Sequence, residues 1–471
     1  MSVLPTGHAR FATSVPVAIV GAGACGLIAA LALSDGGVAA VLFERDAVPC
    51  GSTALSSGFI PAAGTRFQRE RGIDDSPALL ATDIQRKNHE LADPAVVRAV
   101  AEAAAPTLEW LADRHGIPFV VVEGFLYPGH SRLRMHAHPD RTGAALMAAL
   151  RDATERAGID VLTNARVVDL FADPDGRVTG LRIERPDGRS EDIGCAALIL
   201  ACNGFGGNRA MVRRHIPEMG EALYFGHAGN QGDAMAWGEA LGAELRHMSA
   251  YQGHGSVAHP HNMLVTWALM MEGGIQINAR GERFSNEHQG YSEQAVAVLQ
   301  QPGAIAWNIY DARLHALGRE FEDYRQADAA GAVRTANDLD GLAAIIKAPL
   351  AALTTTFAEI ARYHRAEARD PFGRDFATRP MLKPPYHAVK VTGALFHTQG
   401  GLRIDAHARV LRADGRPFPN LFCGGGAACG ISGPAVWGYL SGNGLLTAVT
   451  LGFISGSEAG RLCGSTAKPA C

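Results

Sequence analysis

The residue spacing with the clearest chemical meaning lies near the N-terminus of this 471-residue chain. Gly21, Gly23 and Gly26 form a Gly-x-Gly-x-x-Gly motif, and Glu44 follows 18 positions after the last of them. In dinucleotide-binding proteins these glycines allow a tight turn, a close approach of the backbone to a pyrophosphate, and close helix–strand packing. The acidic residue binds ribose hydroxyls. The spacing therefore predicts a dinucleotide site.

The segments around this motif are those that such a site needs. A β-branched run at 15–20 is typical of a buried parallel strand, and the apolar segment 27–33 is typical of a helix. A second short apolar run at 39–43 then leads into Glu44. The order of strand, glycines, helix, strand and acid predicts a βαβ unit, and it does not by itself distinguish NAD from FAD.

Two further motifs lie far from the first unit. They are Gly281-Glu-Arg-Phe-Ser-Asn-Glu287 and His397-Thr-Gln-Gly-Gly401. With them the chain, from Val15 to about Gly456, resembles the flavoprotein superfamily of fumarate reductases, succinate dehydrogenase flavoprotein subunits and 3-ketosteroid Δ1-dehydrogenases. The resemblance implies an FAD-dependent oxidoreductase acting on CH–CH bonds.

The resemblance also implies a fold of the α/β class. We expect a Rossmann-type FAD-binding domain, formed by residues 14–244 and 387–460, with an α+β capping domain inserted at 245–386. The FAD-contacting positions lie in the glycine motif, in the hydroxyl-rich turn after Glu44, and in later glycine-rich turns. The predicted cofactor-binding residues are Gly21, Gly23, Gly26, Glu44, Arg45, Gly51, Ser52, Thr53, Gly58, Val167, Gly204, Asp233, Gly426, Gly442 and Leu445.

The flavin loops depart from the family pattern at three points. Ala427 stands where the family has a glutamate, and Cys202 stands where it has a threonine. Succinate dehydrogenase subunits tether FAD through a histidine soon after the first nucleotide unit, but no histidine lies between Ala9 and Lys87. We therefore expect FAD to be bound non-covalently.

The catalytic positions differ from those of fumarate reductases. The proton-donating arginine of that family corresponds to Tyr291, and its carboxylate-binding arginine corresponds to Tyr439. The glutamate and arginine of its proton relay fall on Trp267 and Met270. Ketosteroid dehydrogenases have tyrosines at the matching places, so the resemblance to them implies dehydrogenation next to a carbonyl.

The predicted reaction is an α,β-desaturation of a small or cyclic ketone or keto acid. Tyr291 is the predicted base, and Tyr439, with backbone amides at 442–444, would hold the developing enolate oxygen while flavin N5 takes the hydride. We assign His397 a catalytic role in the loop that faces the flavin. The other predicted substrate-binding residues are His254, Tyr127, Gly442 and Asn443.

Two alternatives remain open. His397 and His254 keep identities that favour a fumarate-reductase-like reduction of an unsaturated carboxylate, which the missing arginines oppose. The chain could also be a flavin-binding module without catalysis. For an enzyme, the electrons must pass to an external acceptor, which could be oxygen, a quinone or a carrier protein.

Composition excludes several other classes. Lys and Arg total 43 against 47 Asp and Glu, a net charge of −4 with no basic block, so we predict no nucleic-acid partner. The eight cysteines form no Cys-x-x-Cys pair, and His130, His136 and His138 have no convincing ligand spacing, so we predict no metal. The uncharged segment 11–33 contains the glycine motif and is not expected to span a membrane. A cytoplasmic location is the simplest expectation.

Overall fold

The computed structural model describes residues 2–466, which form 21 strands and 14 α-helices joined by loops and short 3₁₀ turns. The strands, β1 to β21 in chain order, are Ser2–Pro5, Thr13–Val20, Ala40–Phe43, Ile60–Pro61, Val120–Val121, Met135–Ala137, Asp160–Leu162, Arg166–Ala172, Val178–Glu184, Ser190–Leu200, Leu223–Tyr224, Leu245–Arg246, Tyr251–Ala258, Met263–Leu264, Ile275–Ile277, Ile305–Asp311, Val333–Ala336, Tyr386–Thr398, Gly401–Leu402, Arg409–Leu411 and Pro417–Cys423. The helices, α1 to α14, are Ala24–Asp35, Arg66–Arg69, Pro77–Lys87, Pro94–His115, Gly143–Arg156, Arg209–His215, Asp233–Leu241, Ala268–Met271, Tyr291–Leu299, Ala312–Gly318, Glu322–Ala329, Leu339–Ile346, Leu350–His364 and Asn443–Thr466.

The first sheet has nine strands and a parallel centre. Its central parallel strands lie in the order β21-β10-β2-β3-β7, and β8, β9 and β20 extend it through antiparallel pairings. The ninth strand, β1, pairs in parallel with β8 at one edge. Val20 pairs with both Leu200 and Phe43, and Leu200 pairs with Cys423. Four strands therefore end side by side, and the loops that follow them meet at one edge, where open α/β sheets bind ligands.

Helix α1 lies at the centre of this domain. Its residues from Ala24 to Leu33 are all buried, which explains why the segment is apolar all round. The C-terminal helix α14 packs against α1, so the end of the chain returns to the first βαβ unit. The mixed α/β fold confirms the predicted fold class.

The second sheet has seven strands and is mainly antiparallel. Its order is β14-β13-β18-β16-β15, and β11 and β17 also pair with β18. Helix α9 packs against β13 and β18. This sheet comes mostly from residues in the predicted cap, and the domain boundaries 245 and 386 stay predictions. Among residues 2–466, no helix is long and apolar enough to cross a membrane.

Candidate active site

A cavity with about 810 Å³ of empty space lies at the edge where the parallel strands end. The loops after β2, β3, β10 and β21 all contribute to its wall, as does the first turn of α1. Ten of the predicted cofactor-binding residues line it: Gly21, Gly23, Glu44, Arg45, Gly51, Ser52, Thr53, Val167, Asp233 and Gly426. The glycine motif and the later loops therefore face one cavity.

The three glycines of the motif have different surroundings. Gly21 has φ +100°, a conformation that favours glycine, and its N–H donates to the Phe43 carbonyl over 2.9 Å. A Cβ on Gly23 would meet no atom within 4 Å and would point into the cavity. A Cβ on Gly26 would lie 2.0 Å from the Gly21 carbonyl oxygen. Gly23 therefore leaves space for a ligand, whereas Gly26 serves helix–strand packing.

The acidic end of the motif is held by backbone amides. Glu44 accepts hydrogen bonds from Ala22 N–H at 2.8 Å and Asp46 N–H at 3.0 Å, and its side chain faces the cavity. Arg45 lies 3.9 Å from Asp233 at the start of α7 and donates to the Gly229 carbonyl. Burial raises the pKa of Asp233. The carboxylate of Glu44 is thus held in place at the cavity wall, and its binding of ribose hydroxyls stays a prediction.

Ser52 connects this cavity to a second one. Its Oγ accepts from Asn230 Nδ2 at 2.9 Å, from Asn203 Nδ2 at 3.2 Å and from His227 N–H at 3.2 Å. Ser52 is among the predicted cofactor-binding residues, and none of its three partners is. Residues shared by both cavities are Ser52, Thr53, Asn203, Gly426 and Ala448. The two cavities are therefore adjoining halves of one site.

The second cavity encloses about 1110 Å³ of empty space between the first domain and the second sheet. Besides the shared Ser52, Thr53 and Gly426, seven predicted residues line it: Tyr127, His254, Tyr291, His397, Tyr439, Gly442 and Leu445. Its wall is aromatic and polar but uncharged, since none of the described residues that line it is Lys, Arg, Asp or Glu. Both predicted catalytic tyrosines and both predicted histidines therefore share one uncharged chamber.

Tyrosines from two parts of the chain meet in this chamber. Tyr291 is the first residue of α9, and Tyr439 lies just before α14; their ring centroids are 6.1 Å apart. The Gly444 N–H at the start of α14 lies 3.4 Å from Tyr439 Oη and donates to it. His254 stacks on Tyr291 at 4.7 Å, and His397 meets the edge of Tyr439 at 5.6 Å.

The two phenols differ in their electrostatic surroundings. Burial raises the pKa of Tyr291 to about 12, while hydrogen bonds from Ser441, Tyr439 and the Gly442 amide act in the opposite direction. Burial also raises the pKa of Tyr439 well above its ordinary value, and its hydrogen bond to Tyr291 adds to the rise. Tyr291 is therefore the phenol of the pair that ionises more readily, and Tyr439 is the one that keeps its proton.

Both histidines of the chamber are uncharged near neutral pH. Burial lowers the pKa of His254 to about 3 and that of His397 to about 4. Gln399 bonds His397 Nδ1 over 3.1 Å, and His254 lies between the Tyr291 and Phe396 rings. Neutral imidazoles can exchange single hydrogen bonds with a substrate, but they offer no positive charge to a carboxylate.

Four predicted site residues do not line either cavity. Besides Gly26, they are Gly58, Gly204 and Asn443. A Cβ on Gly58 would lie 2.8 Å from the Thr142 carbonyl oxygen, and one on Gly204 would lie 2.0 Å from Thr398 Oγ1. Asn443 is fully buried and donates from Nδ2 to Ser432 Oγ over 3.2 Å. Their surroundings suggest packing behind the site, and a direct ligand role for them stays a prediction.

The fold brings several further residues into the chamber that are not among the predicted site residues. Ser441 lies next to the predicted Gly442, lines the chamber and acts to lower the pKa of Tyr291. Gln252 shares a face of β13 with His254, and Phe225 stacks on Phe396 at 4.8 Å. Alternation along a strand could have indicated Gln252 from His254. The sequence carries no local signal for Phe225, which depends on the pairing of β11 with β18.

The two halves of the site together fit FAD. The open position above Gly23, the amide-held Glu44 and the N-terminus of α1 suit a dinucleotide pyrophosphate and ribose. The adjoining uncharged chamber has room for a planar ring beside a substrate. Among residues 2–466, no group of three or more His, Cys, Asp or Glu side chains could hold a metal ion.

Comparison with known proteins agrees with this geometry. The family profile described as FAD binding domain matches residues 16–445. The chain is 28% identical to NADH:fumarate oxidoreductase of Klebsiella pneumoniae (strain 342) over 95% of its own length, but it spans only 48% of that relative. It also superposes on the open conformation of a flavocytochrome c3 fumarate reductase with a TM-score of 0.80 at 26% identity, covering 97% of this chain and 80% of that one.

A second structural neighbour has a different named activity. It is the 3-ketosteroid-Δ4-(5α)-dehydrogenase of Rhodococcus jostii RHA1, which matches with a TM-score of 0.77 at 24% identity and covers 98% of this chain and 100% of that one. At this identity the likeness concerns the fold alone. The resemblance to fumarate reductase flavoproteins is confirmed by the family profile and the relatives, and the ketosteroid dehydrogenase shares the fold. The chain belongs to the FAD binding domain family and is an FAD-dependent oxidoreductase.

Proposed function

We propose that this protein desaturates the bond between the α and β carbons of a small or cyclic ketone or keto acid. The observation that carries the proposal is the absence of charge from the described wall of the chamber, combined with two tyrosines and backbone amides that face one another there. A carbonyl needs hydrogen-bond donors, whereas a carboxylate is best held by cationic groups. The described lining offers hydrogen-bond donors and contains no Lys or Arg side chain.

The roles of the two tyrosines follow from their surroundings. Tyr439 donates its O–H to the substrate carbonyl oxygen, and the amides at the start of α14 add positive potential there. This stabilises the negative charge that grows on oxygen when the α proton leaves. Tyr291 takes that proton, because Ser441 and the Gly442 amide hydrogen-bond to its oxygen and stabilise the charged form.

The other product of the reaction is a hydride equivalent. Bound FAD would supply the acceptor for the hydride of the β carbon, and the two electrons would then pass to an external acceptor such as oxygen, a quinone or a carrier protein. We propose that FAD is held without a covalent bond, since no histidine stands between Ala9 and Lys87. Denaturing the protein should then release intact FAD into solution, and flavin that stays with the precipitated chain would contradict this.

A fumarate-reductase-like reaction is the alternative. The Klebsiella pneumoniae relative is named for fumarate, and both His254 and His397 line the chamber. Against it, burial lowers the pKa of each histidine far below neutrality, and no described lining residue is cationic. Reducing a C=C bond also needs a proton donor, and the sequence has Trp267 and Met270 at the relay positions of fumarate reductases.

Anaerobic mixing with matched substrates tests the proposal. The FAD-loaded protein is mixed with cyclic ketones of one to several fused rings and with the carboxylic acids of the same ring systems. We expect a ketone to bleach the visible flavin absorbance and to yield one α,β-unsaturated ketone per FAD. The carboxylic acids should leave the flavin oxidised. If dithionite-reduced protein is instead reoxidised by fumarate or another unsaturated carboxylate and no ketone bleaches it, the reductase alternative holds.

A further inference from the structure

The catalytic proposal depends on a short segment, residues 439–444, that carries several hydrogen-bond donors. Tyr439, the Ser441 hydroxyl, and the amides of Gly442 and Gly444 all belong to it. Tyr439 follows a single 3₁₀ turn, residues 440–442 are loop, and α14 begins at Asn443, whose N–H donates to the Leu440 carbonyl over 3.0 Å. Among the described residues no backbone N–H donates to the Ser441 carbonyl in the middle of the segment, so this carbonyl is free to accept a hydrogen bond from a side chain.

One side chain from a distant part of the sequence bonds to the middle of this segment. His130 Nε2 lies 2.9 Å from the Ser441 carbonyl oxygen, in a buried contact. The His130 side chain is outside the lining of the substrate chamber, and the residue is only 5% exposed. Because the partner is a carbonyl, Nε2 must carry the hydrogen and donate it.

The state of the His130 ring agrees with this role. Burial and the nearby Arg134 lower its pKa to about 4, so the ring is neutral near pH 7 and carries one hydrogen. With that hydrogen on Nε2, Nδ1 is a bare acceptor, and it has no hydrogen-bond partner among the described residues. The bond to Ser441 is therefore the only side-chain hydrogen bond that the structure gives this ring.

The residues on both sides of His130 are fixed by hydrogen bonds, buried ion pairs and packing. Ser131 donates to Asp83 from both its N–H, at 2.8 Å, and its Oγ, at 2.6 Å. Arg134 has no exposed side-chain surface and bonds Asp83 at 2.7 Å and Asp75 at 2.9 Å. Just before His130, a Cβ on Gly129 would lie 2.6 Å from Leu440 Cδ1, so the two segments pack against each other.

We propose that His130 is a positioning residue of the active site, which holds the 439–444 segment through the Ser441 carbonyl so that its hydroxyl and amide donors face Tyr291. This inference rests on the proposed function for its effect on turnover. The position of the donors in segment 439–444 relative to Tyr291 is a property of the FAD-loaded protein and does not depend on its substrate. Displacing such donors by a fraction of an ångström to one ångström should slow proton removal by about 10- to 100-fold.

Two substitutions of His130 separate the effect of losing the hydrogen bond to Ser441 from the effect of losing the imidazole ring. In His130→Gln the amide NH₂ can reach the place of Nε2 and keep the bond to Ser441. In His130→Asn the amide is too short and the bond is lost, although size and polarity change little. His136→Asn is the matched control, because His136 is also a buried neutral histidine, but its Nε2 pairs with Thr65 Oγ1 at 2.8 Å.

The readout is the ¹⁹F NMR resonance of Tyr291 in FAD-loaded protein labelled with 3-fluorotyrosine. The resonance is assigned with Tyr291→Phe, and fluorine lowers the pKa of the phenol into a more accessible range. We expect His130→Asn to move this resonance and to raise the pKa of the phenol, because the donation from Ser441 weakens. Ketone-dependent bleaching should fall about 10- to 100-fold in the same variant. His130→Gln and His136→Asn should match the parent protein in both measurements.

The two proposals fail in distinguishable ways. If the Tyr291 resonance moves in His130→Asn but no ketone bleaches even the parent protein, the positioning role stands and the proposed reaction is wrong. If His130→Asn keeps its FAD and its Tyr291 resonance and titration are unchanged, the positioning role is overturned. This holds whether or not ketones bleach the flavin.

Discussion

At the scale of single residues, the hydroxyls of Tyr291 and Tyr439 have opposite jobs in the same chamber. Tyr291 receives hydrogen bonds from Ser441, Tyr439 and the Gly442 amide, which counter the effect of burial on its pKa. Tyr439 donates a hydrogen bond to Tyr291 in the free site and, in the proposed reaction, to a substrate carbonyl. Substituting each residue should therefore produce a different kinetic change.

Tyr439→Phe removes the donor and keeps the bulk of the ring. Removing one donor to a developing oxyanion typically lowers turnover by ~10²–10³-fold. We expect a loss of that size in flavin bleaching by ketone, with little change in FAD content or substrate affinity, because the bond strengthens mainly in the transition state. Tyr310→Phe is a control, since Tyr310 is buried in the second sheet and its Oη bonds Tyr324 at 2.7 Å, away from the chamber. Equal turnover in both variants would mean that Tyr439 only packs.

The pH dependence of flavin reduction tests Tyr291. A base whose pKa lies near 12 is mostly protonated at pH 7, and its charged fraction rises about tenfold per pH unit below the pKa. Rates measured anaerobically should therefore climb with pH from about 7 to about 9, without a plateau. Tyr291→Phe should abolish both the rate and its slope. A flat profile in the parent protein would exclude Tyr291 as the base.

At the scale of elements, the βαβ unit illustrates what sequence patterns can predict. The predicted strand 15–20, helix 27–33 and strand 39–43 correspond to Thr13–Val20, Ala24–Asp35 and Ala40–Phe43. Apolar runs and glycines define such elements locally. The apolar segment that follows α5 forms two separate strands, Asp160–Leu162 and Arg166–Ala172, because the first pairs with β3 and the second pairs with β9.

Only some of the residues that line or support the chamber could be predicted from the sequence. Tyr291, Tyr439 and His397 could be found because family motifs stand beside them in the sequence. Ser441 and His130 could not, since their roles depend on contacts between segments 311 residues apart in the chain. Such contacts are set by the packing of whole elements and leave no local periodicity.

Two glycines of the first turn should respond differently to substitution. A side chain in Gly23→Val would enter open space in the nucleotide cavity, so we expect a folded protein that does not bind FAD. In Gly26→Ala the new Cβ would lie 2.0 Å from the Gly21 carbonyl oxygen, so α1 would have to move away from β2. We expect a loss of stability of on the order of 1–3 kcal/mol from such overpacking. Urea unfolding of the FAD-free proteins, with FAD titration, checks both.

If Gly23→Val binds FAD as the parent does, the pyrophosphate does not lie where the cavity places it. If Gly26→Ala unfolds at the same urea concentration as the parent, the close helix–strand contact is not a constraint on the fold.

At the scale of the whole molecule, burial of neutral histidines links stability to pH. Burial lowers the pKa values of these side chains to about 3 or 4 in the folded chain: His130, His136, His254, His288 and His397. In the unfolded chain each regains an ordinary value near 6.5. Between those values the unfolded state binds more protons, so the free energy of unfolding decreases as pH falls from about 6.5 towards 4.

The loss of stability should be measurable. Each such histidine contributes a decrease on the order of 1–2 kcal/mol between pH 7 and pH 5. Urea unfolding of the FAD-loaded protein should show a lower midpoint at pH 5 than at pH 7. His136→Gln removes one of the titrating groups and should reduce the difference between the two midpoints. The same midpoint at both pH values in the parent protein would contradict the neutral, buried state of these rings.

The most direct test of the central claim is the rate of anaerobic flavin bleaching by a reactive cyclic ketone that carries deuterium on its α carbons. We expect the labelled ketone to bleach the flavin more slowly than the unlabelled ketone in the parent protein, because Tyr291 removes a deuteron from the α carbon. We expect no bleaching in Tyr291→Phe. Equal rates for both ketones, together with undiminished bleaching in Tyr291→Phe, would contradict removal of an α proton by this tyrosine.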